Sequence, residues 1–211
     1  MTPTNLDPLS LSPIMPVVKI AHIEQALPLA NALLAGGIKT IEVTLRSDCA
    51  LDAISLIARE LPEMAVGAGT ITTVEQFEQC QQAGALFGLS PGATLSLLEK
   101  ARSSDWPFIP GVATASEIMT ARDYGFNRLK FFPAEASGGC DALRGFSGPL
   151  PNIVFCPTGG INLRNLSQYL SQSNVVCVGG TWLTPADWVT NQEWDKVRSL
   201  CEESLRVAMA V

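Results

Sequence analysis

The stretch TIEVTLR, Thr40–Arg46, decides how the chain is read. Its alternation is that of a β-strand: Ile41, Val43 and Leu45 fall on one face, Thr40, Glu42, Thr44 and Arg46 on the other. Seven similar runs surround it, at Ile14–Ile20, Ala65–Ile71, Leu86–Pro91, Pro107–Val112, Arg128–Pro133, Asn152–Pro157 and Val175–Gly179. Successive starts lie 26, 25, 21, 21, 21, 24 and 23 residues apart, room for one helix and two short loops each time. The gaps carry helical signals. His22–Leu34 has an apolar stripe closed by Gly36-Gly37, Asp48 precedes Cys49–Leu61 with Pro62 as the stop, Thr73 and Gln76 have capping-box spacing, and Ser116 precedes Glu117–Tyr124. Eight near-equal βα units predict an α/β fold, a single-domain (β/α)8 barrel covering 14–211, with 1–13 as an N-terminal arm outside the repeat. A doubly wound open sheet is the rival and uses fewer strands.

The composition fits a chain buried on both faces of a sheet: 47% of its 211 residues are apolar and only 16% are charged. A net charge of -6 offers no electrostatic reason to bind nucleic acid or an anionic membrane, and no apolar run approaches the 18 residues a membrane helix needs. The N-terminus does not read as a secretory signal. Six scattered cysteines with no CxxC pair read as free thiols of a reducing cytoplasm. A single histidine, His22, removes any two-imidazole mechanism and any His-rich metal site; a surface or helix-capping role suits it.

In a barrel of this kind, polar residues at strand C-termini line the active site. Glu42 and Arg46 share the inward face of their strand, where they form a structural ion pair, or Arg46 is the first solvated loop residue, or both face a substrate. The run RLKFFPAE (Arg128–Glu135) puts Arg128, Lys130 and Phe132 on one face, with Leu129 and Phe131 opposite. Lys130 is one of only five lysines and sits mid-strand between apolar residues. Burial disfavours an ammonium, and a neutral lysine forms a Schiff base with a carbonyl. The plainer alternative is a lysine paired with a core carboxylate or snorkelling at the rim. An amine and a carboxylate on two inward-facing strands are what imine chemistry requires. Two further runs, PTGG (Pro157–Gly160) and VGGT (Val178–Thr181), end consecutive strands in glycine, where backbone amides bind an anion; Asn162 is placed to cap the helix after the first.

Taken together, IEVTLR, VGAGT (Val66–Thr70), SPG (Ser90–Gly92), IPGV (Ile109–Val112), KFFPAE (Lys130–Glu135), FCPTGGI (Phe155–Ile161) and VGGTWL (Val178–Leu183) resemble the 2-dehydro-3-deoxy-6-phosphogluconate (KDPG) and 4-hydroxy-2-oxoglutarate (KHG) aldolase family, over about Pro16–Ala186. The resemblance implies a barrel, a homotrimer, and class I aldolase chemistry on a phosphorylated 2-oxo sugar acid without metal or other cofactor. Residue by residue, it implies Lys130 as the imine-forming amine and Glu42 as the general acid/base. It implies Arg46 and Thr70 at the substrate carboxylate, and Pro91 and Phe132 along the pyruvyl pocket. Gly159, Gly160, Gly180 and Thr181 match the phosphate loop, with threonine at Thr181 where the family commonly has serine. Competing readings are the same chemistry on KHG or on the galactonate epimer, a phosphate-binding isomerase or epimerase, and a non-catalytic phosphosugar-binding barrel.

Overall fold

The computed structural model describes residues 7–211. Positions 1–6, the outer part of the expected arm, lie outside the described residues. Strands and helices alternate along the chain: β1 (Ile14–Val18), α1 (Ala26–Ala35), β2 (Thr40–Thr44), α2 (Ala50–Glu60), β3 (Ala65–Gly69), α3 (Val74–Gln82), β4 (Phe87–Leu89), α4 (Leu95–Arg102), β5 (Phe108–Ile109), β6 (Gly111–Val112), α5 (Ala115–Asp123), β7 (Arg128–Phe131), α6 (Gly139–Ser147), β8 (Val154–Pro157), α7 (Leu166–Leu170), β9 (Val178–Gly180), α8 (Ala186–Thr190) and α9 (Trp194–Ala208). All strand pairings are parallel.

The regular ladders form two sheets, ordered β5-β4-β3-β2-β1-β9 and β6-β7-β8, instead of the single closed eight-stranded cylinder that the repeat predicts. Two local features interrupt them. Pro110 has no N–H to give a ladder, and it splits the fifth expected strand into β5 and β6. Between β8 and β9 only two isolated bridges form, Phe155 with Val175 and Thr158 with Gly179. Three steps along one strand there face four along the other, which is a bulge.

Apolar residues divide between two cores as strand alternation requires. Ile41, Val43, Leu129 and Phe131 pack outward against the helices, where α2 contributes Ala50, Ala53, Ile54 and Ile57 at helical spacing. Met15, Phe87, Leu89, Ile109, Cys156 and Cys177 form the inner cluster. Leu9 completes it from a 3-10 turn, Pro8–Ser10, and the same segment is tied down by an Asp7–Arg128 ion pair of 2.9 Å. The six cysteines are free, four buried and two half-buried. Burial pushes the Cys80 and Cys201 thiols up to about 12, so both stay protonated at neutral pH.

Helix starts follow local chemistry, with some shifts from the sequence reading. Thr73 caps α3, and Gln76 reaches back to the amide of Thr72. The fifth helix begins earlier than expected: Thr114, not Ser116, is its cap, because Glu117 closes a capping box on Thr114. His22 is exposed before a 3-10 turn (Ile23–Gln25), whose Gln25 amide oxygen accepts from the backbone of Ala21 and His22. Asn162 caps the turn before α7 by accepting from Arg164 N, while the helix itself starts after Asn165.

Candidate active site

Strand register places Glu42 and Lys130 in the two sheets. On β2, Glu42 lies between Val17 of β1 and Gly67 of β3; on β7, Lys130 lies between Gly111 of β6 and Cys156 of β8. Both side chains leave the inner face of the sheet and meet there. Lys130 Nζ donates to Glu42 Oε1 at 2.7 Å and to Oε2 at 3.1 Å. The two residues are 4% and 1% exposed, so each charge depends on the other for the solvation it has lost. The Lys130 amine also lies 5.6 Å from the centroid of the Phe132 ring. The lysine is therefore both buried mid-strand and paired with a core carboxylate.

Glu42 fits only because residue 69 is glycine. A Cβ on Gly69 would come 2.1 Å from Glu42 Oε1 and 2.6 Å from its Cδ. The Glu42–Arg46 ion pair that strand alternation allows is not made, since Lys130 takes the carboxylate. Arg46 is held instead by Thr44, whose hydroxyl accepts from Arg46 Nε at 3.1 Å while donating to Val18 O at 2.8 Å. Thr70, just past β3, has φ of 65°, a left-handed conformation that a β-branched residue adopts under strain. Pro91 follows Ser90, whose buried hydroxyl accepts from Gly111 N at 3.1 Å and fixes the β4 end against β6.

Glu42, Lys130, Thr44, Arg46, Thr70 and Pro91 border one cavity of about 200 Å³. Its lining includes the ten residues to which the resemblance gives a catalytic or binding role: Lys130, Glu42, Arg46, Thr70, Pro91, Phe132, Gly159, Gly160, Gly180 and Thr181. Sequence reasoning missed Val17, Thr44, Thr158 and Ile161, which also line it, and Gly69 behind it. Thr44 shares the inward face of TIEVTLR and was legible by the same alternation. Gly69 and Thr158 stand inside quoted motifs, but only proximity reveals what they touch.

The turn after β8 presents its amides. Gly159 and Gly160 have φ of 104° and 83°. Gly159 O accepts from Glu135 N at 3.1 Å, and Gly160 O accepts from the side-chain amides of Asn162 and Asn165, both at 3.2 Å. In a trans peptide the following N–H points the opposite way, so those of Gly160 and Ile161 turn from these braces. Neither donates to a protein acceptor among the described residues. Free amides of this kind suit an anion. Among the described residues no group of three metal-binding side chains is assembled, and no helix is long and apolar enough to cross a membrane.

Known proteins share this chain's sequence and fold. The family model for KDPG and KHG aldolase matches residues 7–200. The 2-dehydro-3-deoxy-phosphogluconate aldolase of Dickeya dadantii is 48% identical over 96% of this chain and 95% of its own. The KHG/KDPG aldolase of Escherichia coli is 46% identical over 95% and 94%. The crystal structure of KDPG aldolase from Legionella pneumophila, with pyruvate captured at low pH as a covalent carbinolamine intermediate, superposes with a TM-score of 0.92 at 46% identity, covering 93% of this chain and 96% of that one. At this coverage and identity, the chain belongs to the KDPG and KHG aldolase family.

Proposed function

We propose that the protein is a class I aldolase, a lyase that reversibly cleaves KDPG to pyruvate and D-glyceraldehyde 3-phosphate. The observation that carries this is the buried 2.7 Å contact between Lys130 Nζ and Glu42 at the wall of the cavity. Glu42 takes a proton from Lys130, and the freed amine adds to the C2 ketone. Glu42 relays protons so that the resulting carbinolamine loses its hydroxyl as water, leaving a protonated imine. The carboxylate then accepts the C4 hydroxyl proton. The C3–C4 bond breaks, its electrons flow into the imine to give an enamine, and the aldehyde departs. Glu42 returns that proton to C3, and water releases pyruvate from Lys130. Arg46 and Thr70 hold the substrate carboxylate, Pro91 and Phe132 flank the pyruvyl group, and the turns of Gly159, Gly160, Gly180 and Thr181 take the phosphate.

The scheme needs no group beyond these side chains. Its test is reductive trapping: with pyruvate and borohydride, mass spectrometry finds a stable adduct on Lys130. No adduct on the native protein, or an undiminished one on Lys130→Ala, overturns the assignment. A second reading has support in the double name of the Escherichia coli relative, which includes KHG. A pyruvate-release assay on KDPG, its galactonate epimer and KHG separates the three, with KDPG expected first.

We read the two sheets as arcs of one closed (β/α)8 barrel. That reading is supported by the continuity of β5 and β6 through Pro110 and by the bridge from Thr158 to Gly179. The family resemblance supports a homotrimer, for which sedimentation finds three times the 22.5 kDa chain mass. The free thiols support a reducing cytoplasm as its site of action.

A further inference from the structure

The segment that carries Lys130 does not end at the cavity. Five residues on, Glu135 opens a 3-10 turn (Glu135–Ser137) and lies against the outside of the glycine turn that follows β8. Its backbone N–H donates to Gly159 O at 3.1 Å, beside an Ala134 N–H that donates to Thr158 O at 2.8 Å. Its side-chain carbons cover Gly160 so closely that a Cβ there would meet Glu135 Cγ at 2.4 Å. Its carboxylate accepts the hydroxyl of Tyr169 from α7, the helix into which the glycine turn leads. The turn is thereby clamped between the segment after β7 and α7.

Tyr169 is an unusual donor for this duty. It is 1% exposed, and its ring belongs to the outer core, so its hydroxyl has little freedom to move. Burial, then the Glu135 carboxylate, pushes the phenol well above its ordinary range, so it keeps its proton at any working pH. Gly139, at the start of α6, leaves the space the hydroxyl needs: a Cβ there would lie 3.2 Å from it. Neither Glu135 nor Tyr169 lines the cavity.

We propose that Glu135 and Tyr169 are positioning residues that hold the Gly159–Gly160 turn with its amides toward the substrate phosphate. This rests on the phosphate role assigned to that turn above. Because Lys130 and Glu135 share one short segment, the clamp also sets the span from the reacting amine to the phosphate turn.

The test compares wild type, Tyr169→Phe, Glu135→Ala and Glu135→Gln. Three readouts are taken: KM and kcat with KDPG, the inhibition constant of inorganic phosphate against KDPG, and the rate of borohydride-trapped pyruvate adduct. Tyr169→Phe and Glu135→Ala are expected to raise KM and the phosphate inhibition constant together by about tenfold, as loss of a charge-assisted hydrogen bond implies. The adduct rate, which involves no phosphate, stays within about twofold of wild type if catalysis is intact. Glu135→Gln still offers Tyr169 an acceptor and stays near wild type. Unchanged phosphate binding in Tyr169→Phe and Glu135→Ala overturns the proposal, as does an adduct rate that falls in step with KM. Glu135 is exposed, so its variants decide the matter even if the buried Tyr169→Phe does not fold. Should inorganic phosphate fail to compete in wild type, the phosphate reading of the turn fails and the clamp falls with it. Competition in wild type with unaffected variants sinks the clamp alone.

Discussion

The two ends of the cavity are built from different materials. At the floor, Lys130 and Glu42 are charged side chains on strand interiors, buried and bound to each other. At the β8 rim the groups proposed to bind are backbone amides, and behind them the backbone N–H of Glu135 and the side-chain amides of Asn162 and Asn165 hold the carbonyls of the turn. The contrast fits what the proposed function asks of each end. Bond-making needs groups that gain and lose protons, which only side chains supply. Holding an anion needs several donors at close range with no Cβ between, which a glycine turn supplies. The floor should thus suffer most from removing a functional group, and the rim from adding a methyl.

That difference can be broken by experiment. The largest effect is expected for Lys130→Ala, which should lower kcat by more than roughly 10⁴-fold, because no other group supplies the electron sink; single-turnover cleavage of KDPG measures it. Glu42→Gln comes next, with a loss on the order of 10²–10⁴ in kcat as a general acid/base is removed. Gly69→Ala adds a methyl at the floor, so it tests the contrast from the other side. It should drive the Glu42 carboxylate off Lys130 and lower kcat on the order of 10²-fold, within the range for a lost acid/base. A folded Gly69→Ala with normal kcat would show that the carboxylate tolerates displacement.

At the rim, Gly160→Ala meets both the positive φ and the Glu135 side chain, and should cost about 1–3 kcal/mol of stability. KM for KDPG should rise while pyruvate trapping on Lys130 proceeds normally; equal loss of both would erase the distinction between floor and rim. The smallest effect is expected at Thr70, where the strain is relieved by removing the side chain. Thr70→Gly should leave Tm unchanged or raise it by a few degrees, since strain of about 1–3 kcal/mol offsets the added chain entropy of glycine. Pyruvate should bind more weakly, and a clear drop in Tm would mean that the φ of 65° carries no strain.

Much of this was legible in the residues. Alternation in TIEVTLR and RLKFFPAE assigned Ile41, Val43, Leu129 and Phe131 to the outer core, and Glu42 and Lys130 to the inner face, as the structure has them. The family resemblance supplied which ten residues belong to one cavity, and all of them lie around it. Less legible were the interruptions of the ladders. A proline at 110 can be read in sequence, but whether its neighbours remain one strand depends on the strands beside them. The bulge facing β8 leaves no signature, because an extra residue changes pairing without changing polarity. Leu9 was invisible as a core residue for a related reason: a lone apolar residue in a short turn has no periodicity.

The repeat of strands and helices and the face each strand turns inward are properties of local pattern, and the amino-acid sequence determined them unaided. Tertiary structure alone decided which partners meet. Glu42 and Lys130 are 88 residues apart, and the bond between them exists only because folding sets the inner faces of β2 and β7 against each other. The space at Gly69 and the grip of Tyr169 on Glu135 are likewise set by distances between segments far apart in the chain. Periodicity fixes direction along one strand, whereas packing fixes separation between strands.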